Sequence, residues 1–104
     1  DTPKPLQLEV GGVTYNGVVC NAYSLLANDL GQIFTERGHD FTITYNITPT
    51  QLSGSIRTRK GVPANEIARL WGGGGHAGSA GFGIAGSEAV MDWLKRYVFS
   101  TPTE

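Results

Sequence analysis

Four consecutive glycines, at positions 72 to 75, are the feature that most constrains how this chain of 104 residues can fold. Glycine loses more conformational entropy on folding than any other residue, so an ordered glycine run usually marks positive φ angles or a close approach to the backbone. His76 follows the run directly, and Gly78 and Gly81 come soon after. The run therefore predicts an ordered, functional loop rather than a flexible linker.

Alternation of apolar and polar residues predicts several strands around this loop. The predicted strands are residues 6–10, 13–20, 41–47 and 52–59, and a short strand around Phe82 and Ile84. The turn between the first two strands lies either at Gly11 and Gly12 or at Asn16 and Gly17, because both pairs suit a hairpin.

Apolar residues at helical spacing predict three helices between and after the strands. They are expected to begin at Ser24, Pro63 and Ser87, and the first two end at Gly38 and Gly72. Their buried faces are predicted to be Leu26, Leu30, Ile33 and Phe34, then Ile67, Leu70 and Trp71, and finally Val90, Leu94 and Val98.

This order of elements predicts a single small α/β domain with a mixed sheet of about five strands and three helices packed on it. Residues 1–5 contain two prolines and are expected to be a linker, and residues 100–104 a tail. No leader or long apolar run indicates secretion or a membrane partner. The single Cys20 cannot form a disulfide within the chain, which favours a cytoplasmic location.

Charge does not favour general attraction to nucleic acid, because the formal net charge is −1. Any polyanion must therefore be bound locally. The local candidates are Arg57, Arg59 and Lys60, which are three of the eight basic residues. Period-two alternation places Arg57 and Arg59 on the polar face of their strand, opposite Leu52 and Ile56.

The glycine run and these arginines together predict a phosphate site. Consecutive backbone N–H groups of Gly73, Gly74 and Gly75 can converge on an anion, and His76 adds a side-chain donor. Arg57 could hold the phosphate with two hydrogen bonds, and Arg59 could contact the next phosphate.

Better-known motifs fit less well. The glycine pattern of dinucleotide-binding folds is present at residues 73–78, but it follows a predicted helix instead of a strand. A P-loop needs a lysine where His76 stands, and a nucleophile elbow around Ser79 lacks its first glycine. Two histidines in separate elements, His39 and His76, are too few for a hydrolytic metal centre, so no metal site is predicted in this chain.

Four segments carry a resemblance to a known family. Residues 55–58, 65–68, 72–76 and 80–82 resemble, in order and spacing, the C-terminal substrate-binding domain of DHH-type phosphoesterases, called the DHHA1 domain. Residues 18–22, followed by Leu30 and Gly31, look like the branch that contains oligoribonucleotide-degrading and cyclic-nucleotide phosphodiesterases. Ser79 departs from the family pattern, which has alanine there, and this is a small-for-small exchange.

The resemblance implies a division of labour between two domains. The DHH segment that would hold two manganese ions in an N-terminal domain does not occur in this sequence, so the chain is not expected to catalyse alone. It would bind the phosphate of a short oligonucleotide or nucleotide through Arg57, Arg59, Gly73, Gly74, Gly75 and His76, for hydrolysis by the other domain.

Two alternatives remain at the level of sequence. A nucleic-acid-binding module without catalysis would need exposed aromatic rings for base stacking, and Tyr15, Tyr23 and Tyr45 are the candidates. A structural or regulatory domain with a decayed site is disfavoured, because Arg57, the glycines and His76 are all present together.

Overall fold

The computed structural model describes residues 3–99, which form six strands and three α-helices. The strands are β1 (Lys4–Val10), β2 (Val13–Asn21), β3 (Phe41–Ile47), β4 (Gln51–Thr58), β5 (Gly74–Gly75) and β6 (Ser79–Ala85). The helices are α1 (Ala27–Glu36), which follows a 3-10 turn over Ser24–Leu26, α2 (Ala64–Arg69) and α3 (Ser87–Tyr97).

All six strands belong to one sheet in the order β1-β2-β3-β4-β6-β5. Strands β2 and β3 are parallel and are joined through α1, whereas every other neighbouring pair is antiparallel. The predicted α/β class, mixed sheet and three helices are confirmed. The additional strand is β5, which lies inside the glycine run that the sequence assigned to a loop.

The first hairpin turns at Gly11 and Gly12, whose φ angles are 59° and 81°. Asn16 and Gly17, the alternative turn, lie within β2 instead. Strand β1 already begins at Lys4, inside the segment expected to be a linker. The expected tail at residues 100–104 lies outside the described residues.

The main core lies on one face of the sheet, which we call the core face, and α2 and α3 cover it. Leu52, Gly54 and Ile56 of β4 are buried there, as their alternation predicted. Phe82 of β6 stands opposite Gly54, and a Cβ on that glycine would come within 2.3 Å of the Phe82 ring. The aromatic rings of Trp71, Trp93 and Tyr97 extend this core.

The opposite face of the sheet, here called the outer face, is covered by α1 mainly over β3 and β4. Thr42 and Thr44 of β3 are buried on this face, and within residues 3–99 the hydroxyl group of Thr42 has no hydrogen-bond partner. Cys20 of β2 is also buried, and burial raises the pKa of its thiol. The outer face of β4 and β6 carries Gln51, Arg57 and otherwise only small residues.

The predicted inner face of α1 is wrong for two of its four residues, while Phe34 is buried as predicted and Leu30 is half-buried. The helix buries Ala27, Gly31 and Phe34, whereas Leu26 and Ile33 are 41% and 40% exposed. The reason is steric at Gly31, where α1 approaches the sheet so closely that an added Cβ would lie 2.6 Å from the Cβ of Arg57. The predicted residues do have helical spacing. Because the prediction counted only large apolar residues, however, it selected a face of α1 next to the one that is buried.

The predicted starts of the helices also differ from the structure. Neither Ser24 nor Ser87 caps its helix with a side-chain hydrogen bond, and Pro63 precedes α2 as its N-cap instead of being its first helical residue. Gly38 has a positive φ just after α1, as expected, and Gly72 does so after the turn that follows α2. Leu70 is 47% exposed, although it was predicted to be buried.

Candidate phosphate-binding site

A two-residue turn joins β5 to β6 and forms the centre of the candidate site. The backbone N–H of His76 donates to the carbonyl of Ser79 at 2.8 Å, and the N–H of Ser79 donates back to His76 at 3.3 Å. Ala77 and Gly78 form the tip of this turn, and both are exposed. His76 and Ser79 are therefore a directly opposed pair that continues the β5–β6 ladder.

The register of the sheet brings Arg57 and His76 to the same face. Arg57 of β4 is the direct partner of Ser79 in β6, and Ser79 is in turn opposed to His76. Directly opposed residues project on the same side of a sheet, so the three side chains form one row on the outer face. Two strand spacings separate the ends of the row by about 10 Å. Only the small Ser79 side chain lies between them.

Thr58 anchors the turn from beneath. Its N–H donates to the carbonyl of Gly78 at 3.2 Å, while its hydroxyl donates to the carbonyl of Val62 at 2.7 Å and lies 3.2 Å from the carbonyl of Ala77. The N–H of Ala64, which begins α2, also donates to Ala77 at 2.7 Å. The turn carbonyls are therefore held by the protein, whereas the N–H groups of Ala77 and Gly78 have no partner within residues 3–99.

These two amides are donors that the sequence interpretation missed. It assigned the anion to the amides of Gly73, Gly74 and Gly75, because consecutive glycines suggest a concave backbone. The hairpin that exposes Ala77 and Gly78 depends on pairing with β6. The pair of bonds between His76 and Ser79 has no local sequence signal beyond the glycine at position 78.

The glycines of the run serve different purposes. The N–H of Gly73 donates to Ala68 at 2.9 Å, and a Cβ at Gly73 would lie 2.1 Å from the carbonyl oxygen of Gly81. Gly75 has a φ of 147°, and a Cβ there would contact Ala80 at 2.6 Å. Gly74, by contrast, has open space around its Cβ position. Gly73 and Gly75 are thus required for packing, whereas Gly72, which has a positive φ of 78°, and Gly74 have open space at the Cβ position.

Arg57 is held by two hydrogen bonds beside this turn. Its Nε donates to Oδ1 of Asn28 at 2.7 Å, and its Nη1 donates to the carbonyl of Ile56 at 3.1 Å. Arg57 and Gly78 lie in the walls of an open groove of about 320 Å³ between α1 and the turn, which Glu36 also lines. A half-buried guanidinium group next to free amides is suited to binding an anion.

Arg59 has a different environment from Arg57. It follows the end of β4, and its Nε donates to Oδ1 of Asp40 at 2.7 Å. Oδ2 of the same carboxylate accepts the backbone N–H of Asn16 at 2.8 Å. The contact with Asn16 contributes most to a lowered pKa of Asp40, and Arg59 lowers it further. The structure therefore pairs Arg59 with a carboxylate and does not bring it into the row of Arg57 and His76.

Metal ligands do not come together in the described part of the chain. Between residues 3 and 99, no group of three or more His, Cys, Asp or Glu side chains converges. His39 packs its ring against Phe34 with centroids 5.7 Å apart. These residues do not fit a manganese centre.

Comparison with known proteins identifies the class. The DHHA1 domain family matches residues 15–98, and the chain belongs to this family. DHHA1 domains usually accompany a DHH domain and bind nucleic-acid or nucleotide substrates. None of the curated protein sequences matches the chain.

Two solved structures share the fold. An uncharacterized protein from Helicobacter pylori G27 has a TM-score of 0.60 and 18% identity, with 88% of this chain covered. This chain spans only 26% of that protein's length. The C-Ala domain of alanyl-tRNA synthetase from Aquifex aeolicus has a TM-score of 0.54 and 18% identity, with 86% of this chain and 92% of that domain covered.

The helices between residues 3 and 99 include none with both the length and the apolar character that crossing a membrane requires.

The two contacts of the Asp40 carboxylate predict a pH-dependent contribution to stability. Because the folded-state pKa of Asp40 is lowered, its charged form stabilises the fold above its usual pKa of about 4, and this contribution is lost as the pH falls further. Asp40→Asn should lower the melting temperature at pH 7, and the difference from the native chain should shrink towards pH 3. Asp29→Asn, which removes an exposed carboxylate of α1, is the control. A difference that stays constant with pH would contradict the assignment.

The glycine run predicts that alanine at two neighbouring positions changes stability by different amounts. Gly73→Ala should lower the free energy of unfolding by about 1–3 kcal/mol, because its Cβ would overlap β6. Gly74→Ala should leave stability nearly unchanged, since no atom lies within 4 Å of the added Cβ. Urea unfolding measures both. Equal losses at the two positions would show that the run has a single structural role.

Proposed function

We propose that this chain is the substrate-binding domain of a DHH-type phosphoesterase and that it binds a phosphate group of a short oligonucleotide or nucleotide. The observation that carries the proposal is the row formed by Arg57, Ser79 and His76. It supports the proposal because a cationic side chain and an imidazole flank a small residue beside free turn amides.

The chemistry of phosphate binding matches this combination of groups. A guanidinium group forms charge-assisted hydrogen bonds to phosphate oxygens, and backbone amides add donors without a side chain that could move. Arg57 would supply the charge, His76 a second side-chain donor, and the amides of Ala77 and Gly78 would bind the remaining oxygens. Gly74 and Gly78 would let the ligand approach, because both have open space at the Cβ position.

Hydrolysis would require groups that residues 3–99 do not bring together. We infer that a DHH domain supplies the metal ions, manganese in our proposal. The present chain would hold the substrate against them. We further propose the oligoribonuclease and cyclic-nucleotide phosphodiesterase branch of the family and a cytoplasmic location. The resemblance of residues 18–22 supports the branch, and the single, buried Cys20 is consistent with the location.

Binding of a 5′-phosphorylated RNA trinucleotide to this chain, followed by NMR chemical shifts of labelled amides, tests the proposal. We expect the largest shifts at Ala77 and Gly78. Arg57→Ala should weaken binding about tenfold or more, because a charge-assisted hydrogen bond contributes roughly 1.5–3 kcal/mol. The loss from His76→Ala should not simply add to it in the double variant, since both groups contact one phosphate.

The control is Lys60→Ala, which removes an exposed cation next to Arg59 and outside the row. A loss for Lys60→Ala as large as that for Arg57→Ala would indicate unspecific attraction of charge. Strictly additive losses for Arg57 and His76 would argue against a shared phosphate. Shifts confined to other surfaces would overturn the proposed site.

One observation favours a second candidate, a nucleic-acid-binding module that stacks bases. Tyr23 is 77% exposed, whereas Tyr45 is buried and Tyr15 is half-buried. If bases stack on Tyr23, Tyr23→Ala should weaken the trinucleotide by about 1–3 kcal/mol and leave inorganic pyrophosphate binding unchanged. If phosphate binding dominates, Tyr23→Ala should affect neither ligand, and Arg57→Ala should weaken both.

A further inference from the structure

Helix α1 touches the candidate phosphate site at two residues, one helical turn apart. Asn28 and Gly31 are separated by three positions and therefore lie on the same side of the helix. Both are in contact with Arg57 of β4. Neither residue was singled out as part of the site from the sequence.

Gly31 allows α1 to approach the stem of the Arg57 side chain. A Cβ on Gly31 would lie 2.6 Å from the Cβ of Arg57 and 3.1 Å from its Cγ. Glycine inside a helix is less favourable than alanine by about 1 kcal/mol, and Gly31 has no positive φ to require it. The close approach to Arg57 accounts for a glycine at this position.

Asn28 fixes the direction of the guanidinium group. Its Oδ1 accepts the Nε–H of Arg57 at 2.7 Å, and the carbonyl of Ile56 accepts from Nη1 at 3.1 Å. Arginine has five N–H donors, so these two bonds leave three, including both donors of Nη2. The group is thus oriented by the protein and still has donors for a phosphate.

A comparison with Arg59 shows why the chemistry of the acceptor matters. Both arginines donate from Nε at 2.7 Å, but Arg57 donates to a neutral amide and Arg59 to the carboxylate of Asp40. The carboxylate compensates the charge of Arg59, whereas the amide of Asn28 is neutral and, among residues 3–99, no carboxylate lies within ion-pair distance of Arg57. The same geometry therefore gives one arginine that stabilises the fold and one that can attract an anion.

We propose that Asn28 and Gly31 are positioning residues, which hold Arg57 in an oriented but uncompensated state for phosphate binding. This inference rests on the proposed function, because it concerns how Arg57 meets its ligand. It assigns to α1 a direct part in the site and selects Arg57 over Arg59 as the phosphate ligand.

Two variants of Asn28 separate orientation from charge, with the RNA trinucleotide as the probe. Asn28→Ala removes the acceptor and should weaken binding about threefold to tenfold, the equivalent of one lost hydrogen bond. Asn28→Asp keeps an acceptor but adds a negative charge beside Arg57, and it should weaken binding at least as much. Its melting temperature should nevertheless equal or exceed that of the native chain, because a new ion pair forms.

This opposite response of binding and stability is the readout that a merely structural role would not give. Asn46→Ala and Asn46→Asp are the matched controls, because Asn46 is also an amide on the outer face, four residues beyond Thr42 on β3. Both should leave binding within about twofold, a difference of less than 0.5 kcal/mol. Gly31→Ala should weaken binding as well, since its Cβ displaces the stem of Arg57.

Repeating the Asn28 variants in an Arg57→Ala background completes the test. If Asn28 acts through Arg57, Asn28→Ala should have no further effect there, while Asn28→Asp should keep only the loss that its own negative charge causes by repelling phosphate. A full additional loss in that background, or unchanged binding in Asn28→Ala and Asn28→Asp, would overturn the positioning role. If Arg57→Ala itself leaves binding unchanged, the proposed function fails first, so the two failures are distinguishable.

Discussion

The antiparallel ladder between β4 and β6 is the contact on which the rest of the domain depends. On the core face it places Phe82 over Gly54, where only a glycine leaves room for the ring. On the outer face the same register aligns Arg57 with Ser79 and, through the following turn, with His76. Because side chains alternate along a strand, a shift by one residue would exchange the two faces. Burial of the core therefore also sets the geometry of the candidate site.

Helices contribute to the two faces unequally. α2 and α3 complete the aromatic core, and the first residue of α2 also holds the carbonyl of Ala77. α1 covers only part of the outer face, and Asn28 reaches Arg57 from its exposed side. The part of this face over β4 and β6 consists mostly of glycine and serine, which presents backbone at the surface. An extended polyanion could lie across such a surface without displacing large side chains.

How far the sequence predicts this structure depends on the kind of signal. The faces of β4 were predictable, because burial of Leu52 and Ile56 follows directly from period-two alternation. The inner face of α1 was not, since it is determined by the close approach of Gly31 to Arg57, a contact between residues far apart in sequence. Strand β5 has no side chains and hence no pattern. Free amides at Ala77 and Gly78 require the pairing partner of a hairpin, which no local rule supplies.

The anchoring of the turn by Thr58 has a kinetic consequence. The carbonyls of the turn already accept hydrogen bonds from β4 and α2, so the turn has little conformational freedom to lose when a ligand arrives. Glycine-rich phosphate loops that become ordered only on binding must offset that entropy with part of their interaction energy. Here no loop closure has to precede the encounter. Association should then be limited by diffusion and orientation of the ligand, and the lifetime of the complex by the strength of the contacts themselves.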